Sequence, residues 1–270
     1  MEGGIMINVH LLIIDEQFDF SDQSGAALPV PGALKGAERL AKMISKNKGA
    51  IRDITCTLDS HHPFHIAHPI FWEDKKGNNP PPYTPITSDE IKNGIWTPSV
   101  RALTEWAVNY TQSLENDGRY SLLVWPPHCL IGGPGANIIT PLLDAIRDWE
   151  NAPDLVNYVT KGSNYKTEHY SAVKAEVSDP DDPGTQLNID LVEACETADI
   201  LLCAGEALSH CFKFTMEDIT ANFGEDIMNK IVFLEDASNP VPGFEQQGDD
   251  FINAMTKRGM KISRTDKVFK

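Results

Sequence analysis

Apolar residues along the chain alternate between two periodicities. Near-continuous apolar runs of strand length occur at 9–15 (VHLLIID), 51–59 (IRDITCTLD), 120–125 (YSLLVW), 156–161 (VNYVTK), 199–205 (DILLCAG) and 231–236 (IVFLED). Segments with helical spacing lie between them, at 32–46 (GALKGAERLAKMISK), 136–150 (ANIITPLLDAIRDWE), 187–198 (LNIDLVEACETA), 214–224 (FTMEDITANFG) and 244–259 (FEQQGDDFINAMTKRG). Short apolar strands alternating with helices suit a parallel sheet, because each crossover lays a helix on a sheet face and keeps that face out of water. The pattern predicts an α/β fold: a three-layer, doubly wound, six-stranded parallel sheet with helices on both faces. In such sheets ligands bind beyond the carboxyl ends of the strands, so the residues ending these runs are candidate site residues.

One stretch breaks the alternation. Residues 72–119 begin WEDKKGNNPPPYTPITSDE and then offer a helix on which Leu103, Trp106, Ala107, Tyr110 and Leu114 form one apolar stripe. The stripe reads as packing rather than a ligand box. Residues 1–270 are expected to form one domain, with 72–119 inserted over the sheet edge as a lid or a subunit contact, which leaves a homo-oligomer open.

Composition narrows the partners. With 270 residues, 41% of them hydrophobic, the chain can bury one large core. A formal charge of −16 repels phosphate backbones and acidic membrane surfaces, so neither nucleic acid nor membrane is an expected partner. The amino-terminal apolar run is interrupted by His10 and Asp15 and has no basic region or small-residue cleavage pattern, so it is expected to be neither signal peptide nor membrane span. Cys56, Cys129, Cys195, Cys203 and Cys211 are an odd set without a C-x-x-C pair. That argues against a disulfide framework or structural zinc, and makes the cytoplasm the expected compartment.

The candidate chemistry sits at the run ends. In 204–214, AGEALSHCFKF, Cys211 falls where strand gives way to helix and free amides concentrate positive potential, a place to make a thiolate. Asp15 ends the first run, Asp59 the second, Lys161 the fourth, and His128 follows the third in WPPHC. A thiol needs a base to take its proton or a cation to hold the thiolate. Asp15 can be the base and Lys161 the cation, with the backbone amides of Ala207 and Cys211 receiving the oxyanion, a contribution of roughly 3–4 kcal/mol per donor in other enzymes. Asp59 and His61, at i and i+2 on extended chain, face one side and can grip one ion, and His128 completes a one-carboxylate, two-histidine set with open positions for Zn²⁺, Fe²⁺ or Mn²⁺. The cluster HHPFHIAH leaves His62 and His65 as alternatives to His61.

The segments IIDEQFDF, TLDSHHP, WPPHCLIGGPGA, VTKG followed by HYSA, and AGEALSHC, in this order, resemble the cysteine hydrolases of the isochorismatase-like superfamily, and among them the nicotinamidase/pyrazinamidase family. The resemblance covers most of the chain outside 72–119. It implies the six-stranded fold above, an Asp15–Lys161–Cys211 triad, and one divalent metal ion, Zn²⁺ before Fe²⁺ or Mn²⁺, on Asp59, His61 and His128. It also implies hydrolysis of nicotinamide to nicotinate and ammonia in NAD salvage, with the pyridine ring stacked between Phe20 and Trp125, and a cis peptide at Glu206–Ala207. Two departures stand out: Glu206 replaces an apolar residue, and Leu208-Ser209 replace Thr-Asp. The long insertion is similar to that of a larger branch of these hydrolases. Other readings keep the scaffold but change the task. One is hydrolysis of another small amide, such as an N-carbamoyl compound; another is a non-enzymatic binding module, against which every triad member is present. Isochorismate hydrolysis uses no cysteine nucleophile, and Cys211 speaks against it.

Overall fold

The computed structural model describes residues 7–116, 120–151, 154–223 and 225–270. Six parallel strands form the main sheet: β1 (Val9–Ile14), β2 (Asp53–Asp59), β3 (Asn157–Lys161), β4 (Ile200–Gly205), β5 (Ile231–Leu234) and β6 (Lys261–Ser263). Their spatial order is β6-β5-β4-β1-β2-β3. The chain therefore winds outward from β1 to one side and from β4 to the other, and the order reverses between these two neighbours.

The helices are α1 (Ala33–Lys46), α2 (Ser88–Lys92), α3 (Thr104–Asn116), α4 (Thr140–Trp149), α5 (Ile189–Glu196), α6 (Cys211–Asn222) and α7 (Glu245–Arg258). Every residue of β1 is buried, because alternate side chains serve opposite layers. Leu11 and Ile13 join Leu40 and Ile44 of α1 and Leu142 and Ile146 of α4. Leu12 and Ile14 join Leu191 of α5, Phe212 and Met216 of α6, and Phe251 and Met255 of α7. Helices thus cover both faces, as the alternating runs predict.

Membership of the sheet differs from expectation in two places. The 120–125 run does not enter it: Leu122–Leu123 pair antiparallel with Pro85–Ile86. Pro126 and Pro127 follow and can donate no ladder bonds, and Leu122, Val124 and Trp125 bury instead in a third cluster with Phe71, Trp72, Ile86, Ile91, Ala107, Tyr110 and Leu114. The sixth strand is β6, read here as KIS, whose single apolar residue Ile262 is 43% exposed at the sheet edge. Residues of the 72–119 stretch, including the stripe on α3, pack in the same cluster as Phe20, Trp125 and Ala207, close to the carboxyl ends of the strands. No helix among the described residues is long and apolar enough to cross a membrane.

Candidate active site

The reversal between β1 and β4 opens the crevice that the site occupies. Asp15 directly follows β1 with a positive φ of 44°, Asp59 and Lys161 are the last residues of β2 and β3 and face each other in register, and Cys211 opens α6. Gly205 ends β4 at φ +121°, where a Cβ would lie 2.0 Å from the Ile14 carbonyl oxygen. Only glycine lets the β4 backbone pass so close to β1 before turning toward Cys211. His128 arrives by a loop: Trp125 N–H donates to the Ala67 carbonyl, and His61 N–H to that of Cys129.

Lys161 is the hub. Its ammonium lies 2.9 Å from Asp15 Oδ2 and 3.0 Å from Asp59 Oδ1, donates to the His169 carbonyl at 2.9 Å, and stands 3.6 Å from Cys211 Sγ. Burial disfavours its charge, but the two carboxylates outweigh burial and hold Lys161 well above the ordinary lysine range. Asp15 also accepts from the Thr57 hydroxyl at 2.5 Å. Burial raises Asp15, opposed by Lys161.

Cys211 departs from expectation. Burial, outweighing the nearby ammonium, pushes its thiol well above the ordinary range. Desolvation thus favours a resting thiol beside a base over a standing thiolate. Among the described residues the backbone N–H groups of Ala207 and Cys211 have no acceptor, which leaves both free for an oxyanion. The Glu206–Ala207 peptide is cis.

On the other side of Asp59, Oδ2 lies 2.9 Å from His61 Nε2 and 3.3 Å from His128 Nε2. Each imidazole points its Nδ1 at a backbone carbonyl, His61 at Gly162 (3.0 Å) and His128 at Pro126 (2.8 Å). Nδ1–H donation to those carbonyls fixes each ring so that Nε2, the nitrogen an ion would bind, faces the Asp59 carboxylate. The three residues fit a divalent ion with open coordination positions. Gly162, at φ +83°, makes this possible, since a Cβ there would meet His61 Cε1 at 2.7 Å and Asp59 Oδ1 at 2.8 Å. The alternatives do not converge in the same way. His62 is exposed. His65 uses both nitrogens, Nδ1 accepting from Ala67 N–H and Nε2 facing the Thr167 carbonyl, so it offers no free nitrogen to the neighbouring His61–His65–His68 cluster.

A narrow cavity joins the two groups, lined by Phe20, Trp125, Tyr170, Ala207 and Val241 together with Asp59, His128, Glu168, His210 and Cys211. The Phe20 and His128 rings are 5.4 Å apart, and Trp125 donates its indole N–H to Tyr170 at 2.9 Å. The turn behind the nucleophile is clamped from the 238–241 segment. Glu206 accepts from the backbone and side-chain amides of Asn239, both at 2.9 Å, Leu208 N–H donates to the Asn239 carbonyl, and Val241 N–H to the Ser209 hydroxyl. Burial raises Glu206 to about 8, and it raises the neighbouring Glu16 well above the carboxylate range, with the charge of Glu206 adding to the effect.

Solved structures of similar shape cover nearly the whole chain. Yeast nicotinamidase bound to the inhibitor nicotinaldehyde is 17% identical with a TM-score of 0.65, over 95% of this chain and 99% of that one. The pyrazinamidase of Pyrococcus horikoshii in complex with zinc is 20% identical with a TM-score of 0.56, over 95% and 99%. An isochorismatase family protein from Desulfovibrio vulgaris is 18% identical with a TM-score of 0.54, over 97% of each chain. The chain has the isochorismatase-like hydrolase fold. No protein-family model and no curated protein matches the sequence.

Within that fold, Asp15, Lys161 and Cys211 come together, as do Asp59, His61 and His128, and Phe20 and Trp125 line the cavity between them. Five lining residues escape a sequence reading: Leu28, Glu168, Tyr170, His210 and Val241. Glu168 and Tyr170 flank the start of the HYSA motif, which is the one local signal that could have drawn attention to them. Val241 comes from a Pro-rich turn that offers none.

Proposed function

We propose that the protein hydrolyses nicotinamide to nicotinate and ammonia, as a cysteine amidohydrolase in NAD salvage. The observation that carries this is the shared ammonium of Lys161, 3.6 Å from Cys211 Sγ and held by Asp15 and Asp59, with Cys211 and Asp59 lining a cavity walled by aromatic rings. Cys211 attacks the amide carbonyl as Asp15 takes the thiol proton. The amides of Ala207 and Cys211 receive the oxyanion, and Asp15 returns the proton to the departing amine. Lys161 stays charged and steadies the sulfur as negative charge develops. Water then attacks the thioester as Asp15 takes its proton, the C–S bond breaks, Asp15 returns the proton to the Cys211 sulfur, and the acid product leaves as the carboxylate after losing its proton to solvent. Asp59, His61 and His128 would hold a divalent ion, Zn²⁺ first, which when bound supplies an open Lewis-acid position for a ring nitrogen.

The similar structures, a nicotinamidase with an aldehyde inhibitor and a pyrazinamidase with zinc, support this choice of substrate and ion. Residues 1–270 then form one cytoplasmic hydrolase domain with 72–119 as an insertion, acting on a small amide without nucleic acid or membrane. Ammonia release from nicotinamide by purified protein, beside pyrazinamide, benzamide and an N-carbamoyl amine, is the test. Turnover confined to the N-carbamoyl compound would replace the substrate while keeping the triad.

A further inference from the structure

Glu168 lines the cavity beside Cys211, Asp59, His128 and Tyr170 but has no part in the triad or the ligand set. It is 4% exposed and rigidly held: one carboxylate oxygen accepts from His169 N–H at 2.8 Å, and its own N–H donates to the Tyr110 hydroxyl at 3.0 Å. Its other oxygen meets no protein donor among the described residues, and no Lys or Arg pairs with it. The nearby ammonium of Lys161 is already committed to Asp15, Asp59 and the His169 carbonyl. The negative charge is felt around it: burial and then Glu168 push Tyr110 and Tyr170 well above the phenol range.

Hydrolysis of a planar carboxamide barely alters its shape. It changes the charge, from a neutral amide to a carboxylate at the same place. We infer that Glu168 is a specificity-determining residue that sets the cavity against anions, favouring neutral amides over carboxylates of the same outline and expelling the carboxylate product. This rests on the amide hydrolysis proposed above. A fixed anion acts on the one property that separates product from substrate, whereas the apolar walls cannot tell them apart.

The test uses matched pairs, nicotinamide/nicotinate, pyrazinamide/pyrazinoate and benzamide/benzoate, titrated calorimetrically into metal-loaded Cys211→Ala protein with and without Glu168→Gln. Glutamine keeps the acceptor for His169 N–H and removes only the charge. Like-charge neighbours shift equilibria by about tenfold or more, so Glu168→Gln should tighten each carboxylate about tenfold relative to its amide, and Glu168→Asp should preserve the discrimination. Equal changes for amide and carboxylate would mean a purely structural residue and overturn the inference. If no member of any pair binds, the amide-hydrolase function itself fails, and the inference with it. Turnover by the unmodified enzyme gives a second readout that needs no variant: nicotinate should inhibit with a Ki above the KM of nicotinamide, and the reverse order would overturn the inference.

Discussion

Replacing Glu206 with glutamine should flatten the dependence of stability on pH between pH 6 and 8. Glu206 is fully buried at the turn into the nucleophile, holds Asn239 by two hydrogen bonds, and lies near Glu16 and Asp22 with no basic partner among the described residues. Burial lifts it from an ordinary value of 4.5 to about 8. The folded state then keeps a proton that the unfolded chain gives up, so the stability tied to this group is full below pH 4.5 and drains away as pH rises toward 8. At about 1.4 kcal/mol per pH step, flattening near the folded value, the loss between pH 6 and 8 comes to about 2 kcal/mol. For a chain of this size that is roughly 5 °C in melting temperature. Histidines buried in neutral form, such as His169 and His210 at about 3, pull the other way below their unfolded value of 6.5. They are common to both proteins and cancel in the comparison. The assay is the melting temperature of wild type and Glu206→Gln at half-unit steps. The wild type should lose about 5 °C more than the variant over the window, whatever the offset between them. Parallel curves would refute the raised value and with it the view that the turn is held by a neutral acid.

Cys211→Ala should abolish ammonia release and leave the melting temperature nearly unchanged, since a small side chain replaces a small one; alkylation of wild-type Cys211 should keep climbing beyond the ordinary thiol range, and a plateau below pH 8 would contradict the buried thiol. Chelation should raise KM for nicotinamide far more than it lowers the melting temperature, and His61→Ala but not His62→Ala should empty the metal site by elemental analysis. Trp125→Leu should cost nicotinamide turnover more than turnover of an aliphatic amide, by the 0.5–1.5 kcal/mol or so that aromatic contacts add; a uniform loss with a lower melting temperature would make Trp125 a packing residue only.

The parts of the fold that periodicity revealed are those where burial is two-sided. β1, β2 and β4 are near-continuous apolar runs because helices press on both their faces, and that signal survives in the sequence alone. It misleads at 120–125, where an equally apolar run is buried by the inserted residues rather than by the sheet. It is silent at β6, an edge strand with little to bury. The site shows the same division. Strand ends pointed to Asp15, Asp59, Lys161 and Cys211, because parallel topology forces them onto one edge. The choice among His61, His62 and His65 depends on which imidazole meets the carbonyl of Gly162, about a hundred residues away, and no local spacing encodes that contact. The thiolate expectation meets a related limit: helix position is visible in sequence, whereas the burial that raises the Cys211 thiol is not.

Asp59 explains why the two candidate constellations sit where they do. One of its oxygens accepts from the Lys161 ammonium and the other faces His61 and His128. Burial alone would protonate it, but His61 and Lys161 outweigh burial and hold it well below the carboxylate range. A single ionised carboxylate is therefore shared by the group that steadies sulfur and the group suited to an ion. Because Lys161 and Asp59 are register partners on adjacent strands, this sharing is built into the β2–β3 pairing rather than into any loop. A shift of one residue in that pairing would turn one of the two side chains to the opposite face of the sheet, so sheet register and site chemistry are fixed by the same hydrogen-bond ladder.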